Sequence, residues 1–356
     1  MQTQTTTIFE SLQEIMSQVE TSNQHNLQTD IQAFSEYCHL GIDDDSEKLL
    51  STIYLNALRT KLHSTGLHEN HYEKKFEVSQ IELFDILIHK FPYVKYGQEI
   101  VNQSILECMN HKEVVTLVDI GCGLGTQMVH IIQHAAQLTS LQKLVIIGIE
   151  PFPEALKQAE EQIKIAGCDK HFSVEFKPII EKAEYVDYNS MMNLEGFIIV
   201  NASLALHHIQ TWEQRRITLQ GIKQLQADAF FLTEPNSDHT TSNFMKRFQN
   251  SYNHFLSLFK VIDLLDIETR YKQALKLFFG REIEDIIGKP EVDRFEKHAL
   301  ASDWLTLLRE VGFTFNTSFF KDQFLADPGV SIALHPEGYI GFTFEQETAL
   351  AIMLCN

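Results

Sequence analysis

The chain has 356 residues, enough for one elaborated domain or two, with ordinary apolar content and no low-complexity tract. Its formal charge of −19 argues against docking on a nucleic-acid backbone, which needs clustered Lys and Arg; the strongest basic pairs are Lys74-Lys75 and Arg215-Arg216. Five scattered cysteines (Cys38, Cys108, Cys122, Cys168 and Cys355), with no C-x-x-C pair, suit a reduced compartment and speak against a zinc site, so no metal is expected.

The N-terminus, MQTQTTTIFE, lacks the basic and apolar regions of a signal peptide, and no apolar run approaches a membrane span. A cytoplasmic protein is expected. Residues 1 to about 110 read as helices. Ile8, Phe9, Leu12, Ile15, Met16 and Val19 recur at helical spacing, and a second stripe runs from Leu49 to Leu62 with a stop near Gly66. The first fifty residues hold nine acids against one lysine, so one face of these helices is solvated and anionic. Asp43-Asp44-Asp45 lacks the spacing of a calcium loop and reads as a helix start. Ser79 and Glu82 fit a capping box ahead of Leu83 to Phe91, and Pro92 closes that helix.

From Val114 the pattern alternates. Strands are expected at 114–119, 143–149, 172–177, 196–200 and 228–233, with helices near 126–138, 153–166 and 211–225. Alternation of this kind predicts a doubly wound, mostly parallel Rossmann-like sheet with its ligand at the carboxyl ends of the strands. Residues 240 to about 280 break the pattern with Phe244, Phe248, Tyr252, Phe255 and Phe259 at helical spacing, read as core. A helix at Ser302 to Val311 and strands at 313–320, 339–344 and 348–354 close the sheet with an antiparallel hairpin. The expected division is a helical cap (1–110), core (111–239), cap insertion (240–290) and core completion (291–356).

The first strand, VTLVDIGCGLGT, ends in Asp119 and a turn bearing Gly121, Gly123 and Gly125. Glycine lets backbone approach a ligand closely, and the helix that follows aims free N–H groups at it. The next strand ends in Glu150, an acid suited to a ribose diol. Strand, glycine turn, helix, strand and acid predict a nucleoside-cofactor site. The dinucleotide fingerprint is G-x-G-x-x-G with its acid about 20 residues on. Here the turn reads G-C-G-L-G, an acid precedes it and the second acid lies farther downstream, which disfavours a nicotinamide oxidoreductase. The pattern resembles motif I of the class I S-adenosylmethionine-dependent methyltransferases. That resemblance implies S-adenosyl-L-methionine held by Asp119, Gly121, Cys122, Gly123, Gly125, Glu150, Pro151 and Asn201. Cys122 is read as a small filler of the turn.

Flanking segments resemble the GRAS family. Before the turn, FPYVKYGQEIVNQSILEC matches its helix through Pro92, Lys95, Asn102, Gln103, Ile105, Leu106 and Glu107. VNASLALHHI matches through Val200, Asn201, Leu204, Leu206 and His207, and LTEPNSDH through Glu234 and His239. FMKRFQNSYNHFLSLF, FFGREIEDIIG and RFEKH follow the family at Phe244, Arg247, Phe248, Leu258, Phe259, Gly280, Arg281, Glu282, Ile283, Arg294, Glu296 and His298. The plant members are transcriptional regulators that generally lack the glycine turn, so the intact turn implies the bacterial, cofactor-retaining branch.

Methyl transfer from a sulfonium needs alignment, desolvation and, for an O–H or N–H acceptor, a base. Residues after the fourth and fifth strands supply candidates: His207, His208 and Glu234 as catalytic groups, with LALHHI resembling the L-H-D-W segment of small-molecule O-methyltransferases. His capping and Glu-to-backbone bonds are the structural alternatives. His239, Arg247, Tyr252 and Arg281 are the substrate-side candidates, the arginines suited to a carboxylate unless engaged in internal pairs. The expected function is methylation of a small molecule in a capped cleft, without nucleic acid or membrane partners. The alternative is a non-catalytic GRAS-type regulatory or binding protein. The acceptor and the oligomeric state, a dimer included, stay open.

Overall fold

A computed structural model describes residues 7–20, 24–42, 45–62, 78–191, 193–316, 320 and 323–356. The expected stop at Gly66, the acids Asp43 and Asp44, and the pair Lys74-Lys75 lie outside the described residues. In chain order the helices are α1 (Ile8–Ser17), α2 (Gln24–His39), α3 (Ser46–Leu62), α4 (Gln80–Lys90), α5 (Pro92–Met109), α6 (Thr126–Ala135), α7 (Pro153–Gly167), α8 (Trp212–Gln224), α9 (Phe244–Leu264), α10 (Thr269–Ile283) and α11 (Ala301–Val311). The strands are β1 (Val114–Ile120), β2 (Lys143–Ile149), β3 (Ser173–Ile179), β4 (Phe197–Ser203), β5 (Ala229–Pro235), β6 (Phe324–Ala326), β7 (Val330–Leu334), β8 (Ile340–Phe344) and β9 (Glu347–Cys355).

The chain divides into two compact units. One comprises 1–91, 237–298 and 344–349; the other comprises 92–236, 299–343 and 350–356. The boundary expected at 110 therefore falls at 91, because α5 joins the sheet unit. The cause is local: Phe91, the residue before a proline, is extended (φ −85°, ψ 113°) and ends α4, while Pro92 supplies the first residue of α5.

In the helical unit α3 packs against α1, α2, α9 and α10, and α10 against α4. The expected aromatic stripe is core: Phe244, Phe248, Tyr252, Phe255 and Phe259 are all buried. Tyr54 meets Phe248 edge-on at 5.3 Å, and its hydroxyl is 2.6 Å from Ser251 Oγ. The capping boxes Thr7/Glu10 and Ser79/Glu82 start α1 and α4.

The sheet unit carries a nine-stranded sheet ordered β3-β2-β1-β4-β5-β9-β8-β7-β6. β1 to β5 are parallel, and β9 pairs antiparallel to β5, as do β7 to β8 and β6 to β7. The fold is thus α/β, a doubly wound Rossmann-like core with an antiparallel close. β1 (VVTLVDI) and β2 (KLVIIGI) are apolar almost throughout because both sheet faces are covered. On one face Val118, Ile120, Val145, Val200 and Phe230 join Leu219, Ile222, Trp304 and Leu308 from α8 and α11. Edge strand β3 alternates exposed and half-buried residues and carries Lys177, Glu175 and Pro178, which discourages further pairing.

The strand expected at 313–320 is replaced by a single bridge, Phe315 to Cys355, and 317–319 lie outside the described residues. Instead β6 and β7 form a hairpin around Asp327-Pro328-Gly329, turn residues whose meaning was masked by the shortness of the flanking apolar runs. No described helix is long and apolar enough to cross a membrane.

Candidate functional site

Strand order reverses between β2-β1 and β4-β5, which places a crevice at the carboxyl ends of β1 and β4. The glycine turn after β1 sits there. All three glycines have positive φ (75°, 51° and 74°), the left-handed region that side chains resist. Their surroundings differ. A Cβ on Gly121 would lie 2.6 Å from that of Ala205, and one on Gly125 only 3.2 Å from the Ala159 Cα of α7. Those two serve packing. A Cβ on Gly123 would meet no described atom within 4 Å, so this residue faces open space.

The turn is braced by β2. Ile149 O accepts from the N–H groups of Gly121 and Cys122 (2.8 and 3.2 Å). The carboxylate of Glu150 accepts from the N–H groups of Gly123 (3.1 Å) and Phe152 (3.3 Å), and its remaining lone pairs leave capacity for hydroxyl donors. Pro151 follows, half-buried, in a bend. Cys122 is half-buried; burial, with Asp119 and Glu150 near by, pushes its thiol far above the usual range, so it is inert filler. Leu124, Phe152, Ile180 and Leu204, in loops following β1, β2, β3 and β4, are exposed apolar side chains. Leu204 holds φ +55°. Sequence reasoning missed this apolar group, since single apolar residues in loops carry no pattern.

Asp119, the penultimate residue of β1, is buried and pairs in register with Asn201 of β4. Burial pushes its carboxyl up to about 6, against the opposing hydrogen bond from Asn201. Asn201 Nδ2 donates to Asp119 Oδ1 (2.7 Å) and to Gln127 Oε1 (3.1 Å). Gln127 Nε2 donates to Asn102 Oδ1 (2.8 Å), whose Nδ2 is 3.2 Å from His130 Nδ1. The Oδ1 of Asn201 is buried with no hydrogen-bond partner among the described residues. An orphaned buried acceptor of this kind is costly unless a ligand donates to it. Gln127 and His130 were not singled out from sequence; the signal was a polar residue, Asn102, on the apolar side of α5 beside Val101 and Ile105.

After β4 the chain turns through Leu206 to His208, and β5 delivers Glu234 beneath that turn. Glu234 Oε1 accepts from Leu206 N–H (2.8 Å) and Oε2 lies 2.5 Å from His207 Nδ1. Burial pushes the Glu234 carboxyl up, but the His207 ring and the Leu206 N–H outweigh it and hold the group below its usual value. His207 and Glu234 therefore form a buried imidazole–carboxylate pair, while His208 is exposed. Arg215 of α8 clamps the turn: Nη2 donates to His207 O (3.0 Å) and Nε to Ile209 O (3.1 Å). Its guanidinium lies 4.7 Å from the rings of both Trp212 and Trp304.

The four substrate-side candidates belong to the helical unit. His239 is fully buried, Ser237 Oγ 2.9 Å from its Nε2. Arg247 is buried and donates to the carbonyls of Thr241 (2.6 Å) and Ile286 (3.2 Å). Tyr252 is buried among Phe9, Tyr54 and Phe248, and Arg281 is exposed at the end of α10. Arg294 Nη2 donates to Glu291 Oε2 (2.6 Å) and Nη1 to His239 O (2.9 Å), so this arginine is engaged in an internal pair.

Residues 8–350 match the GRAS domain family. The chain is 27% identical to Scarecrow-like transcription factor PAT1 of Arabidopsis thaliana over 64% of this chain and 50% of that protein. It is 24% identical to GRAS family protein TF80 of Medicago truncatula over 74% of each. The chain thus spans about half the length of the first of these relatives. Its fold is similar to the crystal structure of SCL7 of Oryza sativa, with TM-score 0.78, 19% identity and coverage of 98% and 99% of the two chains.

Proposed function

Because the chain belongs to the GRAS domain family and keeps an open glycine turn, we propose that it is an S-adenosylmethionine-dependent methyltransferase of a small-molecule acceptor. The observation that carries this reading is Gly123: a left-handed glycine at the switch point whose missing side chain would stand in empty space. Two further features fit the cofactor. Asn201 Oδ1 is a buried acceptor in want of a donor beside the Asp119 carboxyl, which suits an ammonium group. Glu150, directly after β2, carries a carboxylate able to accept from a ribose diol while still holding the turn. Asp119, Asn201, Glu150 and the Gly121–Gly125 turn would hold S-adenosylmethionine, which when bound supplies an electrophilic methyl group.

The chain's own contribution to the chemistry is a base. Glu234 fixes His207 through Nδ1, so any proton the ring takes from an acceptor O–H or N–H enters at Nε2. The buried carboxylate then stabilises the imidazolium that forms. Arg215 prevents the turn from drifting, which matters because alignment is most of the task in a displacement with a good leaving group. The exposed His208 is kept as a secondary candidate.

Isothermal titration with S-adenosylmethionine and S-adenosylhomocysteine tests the reading, with binding of both expected; absence of both ends it. Mass spectrometry of the purified protein, looking for a retained cofactor and metabolite, would name the acceptor. A second reading, a GRAS-type regulatory or ligand-binding protein without turnover, is favoured by the transcription-factor relative. It expects cofactor affinity without methylated product.

A further inference from the structure

The amides between Asp119 and His130 form one chain with a single consistent direction. Asp119 as a carboxylate only accepts, so Asn201 must point Nδ2 toward it. The second Nδ2 hydrogen then fixes Gln127 with Oε1 inward, Gln127 Nε2 fixes Asn102 with Oδ1 inward, and Asn102 Nδ2 requires an acceptor at His130 Nδ1. Flipping any one amide alone sets like against like, acceptor against acceptor and, for Gln127 or Asn102, donor against donor as well. Flipping all three together does not. His130, protonated, donates from Nδ1 to Asn102 Oδ1; Asn102 donates to Gln127 Oε1; Gln127 donates to Asn201 Oδ1, which also accepts from a protonated Asp119. Every bond is remade in reverse. Two protons are taken from solvent, one at each end, and the amides between only rotate.

We propose that Asn102, Gln127 and His130 form a reversible hydrogen-bond wire, with Asn102 and Gln127 as positioning residues, which decides whether Asn201 offers the cofactor its oxygen or its nitrogen. The proposal rests on reading the site as one for S-adenosylmethionine. In the forward state the orphaned Asn201 Oδ1 accepts from a ligand ammonium. In the reversed state the same position presents N–H, which repels it, and Asp119 has lost its charge.

The ends are placed to titrate. Asp119 is pushed up to about 6 by burial and faces Glu150 from β2. His130 lies half-buried in a groove of about 590 Å³ between α5 and α6. It faces Glu99 and Glu107 of α5 across that groove and stacks at 4.0 Å on His134, one turn along its own helix. Burial and the His134 ring lower its proton affinity. The concerted reversal is therefore expected as pH falls to about 6 and below, Asp119 changing charge near 6 and His130 below its usual range.

Titration of the full chain with S-adenosylhomocysteine between pH 8 and 5.5 tests the wire. The unmodified chain should lose about tenfold in affinity as pH falls, the scale set by one to two hydrogen bonds to a charged group. His130→Asn, whose Oδ1 accepts as Nδ1 does but does not titrate in this range, should reduce that loss to about threefold. Asn102→Ala should weaken binding about tenfold at pH 8, and Asn102→Asp, which still accepts from Gln127, should restore it to within about twofold. Asn102→Ala binding like the unmodified chain, or Asn102→Asp binding no better than Asn102→Ala, overturns the proposal. A second measurement needs neither variant nor cofactor: 15N NMR of His130 at pH 8 should show the Nε2–H tautomer, and an Nδ1–H tautomer overturns the wire. Failure of the unmodified chain to bind either cofactor form at any pH would instead remove the cofactor reading and the positioning role with it.

Discussion

In the sheet unit the buried carboxylates Asp119 and Glu234 each accept from a named partner, Asn201 Nδ2 for one and Leu206 N–H with the His207 ring for the other. The helical unit buries a cluster of imidazoles. His239 and His254 lie 5.8 Å apart, His239 and His298 4.8 Å apart, and the Nδ1 atoms of His239 and His254 have no partner among the described residues. Burial and the neighbouring His298 push His254 down to about 3; His239 is pushed well below the usual range by burial and by His298, His254 and Arg294. The difference separates charge met by donors from polarity left without them. The sheet unit holds these carboxylates against groups that favour the charged form. The helical unit keeps His239 and His254 neutral, at a cost to stability at low pH.

That contrast can be broken at several points. The largest effect is expected at the base: His207→Ala should leave cofactor affinity unchanged and slow methyl transfer roughly 10²–10⁴-fold in single-turnover assays. His254→Phe should leave transfer intact, and a comparable loss there would erase the distinction. Next is the turn. Gly123→Val should weaken cofactor binding roughly ten- to hundredfold through steric overlap, beyond the stability on the order of 1–2 kcal/mol that it loses to its left-handed backbone. Gly125→Val carries the same backbone strain and should lose more stability, because its Cβ also meets Ala159.

The acid response comes third. His254 has a folded value of about 3 against an unfolded value near 6.5, so the unfolded chain binds more protons between these pH values. Stability contributed by the neutral ring is complete above about pH 6.5 and declines as pH falls toward 3. Between pH 7 and 4.5 the loss should be on the order of 2 kcal/mol, visible in denaturant midpoints, and His254→Phe should remove it. Smallest is Asp119→Asn. A carboxyl raised to about 6 favours the folded state only while protonated, so its contribution is lost as pH rises from about 4 to about 6. The amide should therefore stabilise the ligand-free protein by on the order of 1–2 kcal/mol at pH 8 and by nothing at pH 4, measured by thermal melts. A stabilisation independent of pH would show that ionisation of Asp119 is not its origin.

The parallel sheet was legible because β1, β2 and β4 are β-branched apolar runs, β5 (AFFLTEP) is an aromatic one, and helices alternate with them. The glycine turn announced itself by residue type. What the turn's glycines do was not legible: Gly121 and Gly125 answer to Ala205 and Ala159, residues distant in sequence whose approach only the fold reveals. His207 and Glu234 were visible as polar residues after adjacent strands, but their pairing depends on the register of β4 against β5. The wire through Gln127 was hidden because its members come from two helices and two strands. β6 and β7 escaped because strands of three and five residues give periodicity nothing to repeat, although Asp327-Pro328-Gly329 marked the turn between them.

The cluster of Arg215 with Trp212 and Trp304 has a practical corollary. These are the 2 tryptophans of the whole chain. All indole emission from the protein therefore originates around the one guanidinium that grips the His207 carbonyl. The molecule carries a built-in optical gauge of that turn. Ligands that tighten or release it should register as a change in intrinsic fluorescence, with no label attached.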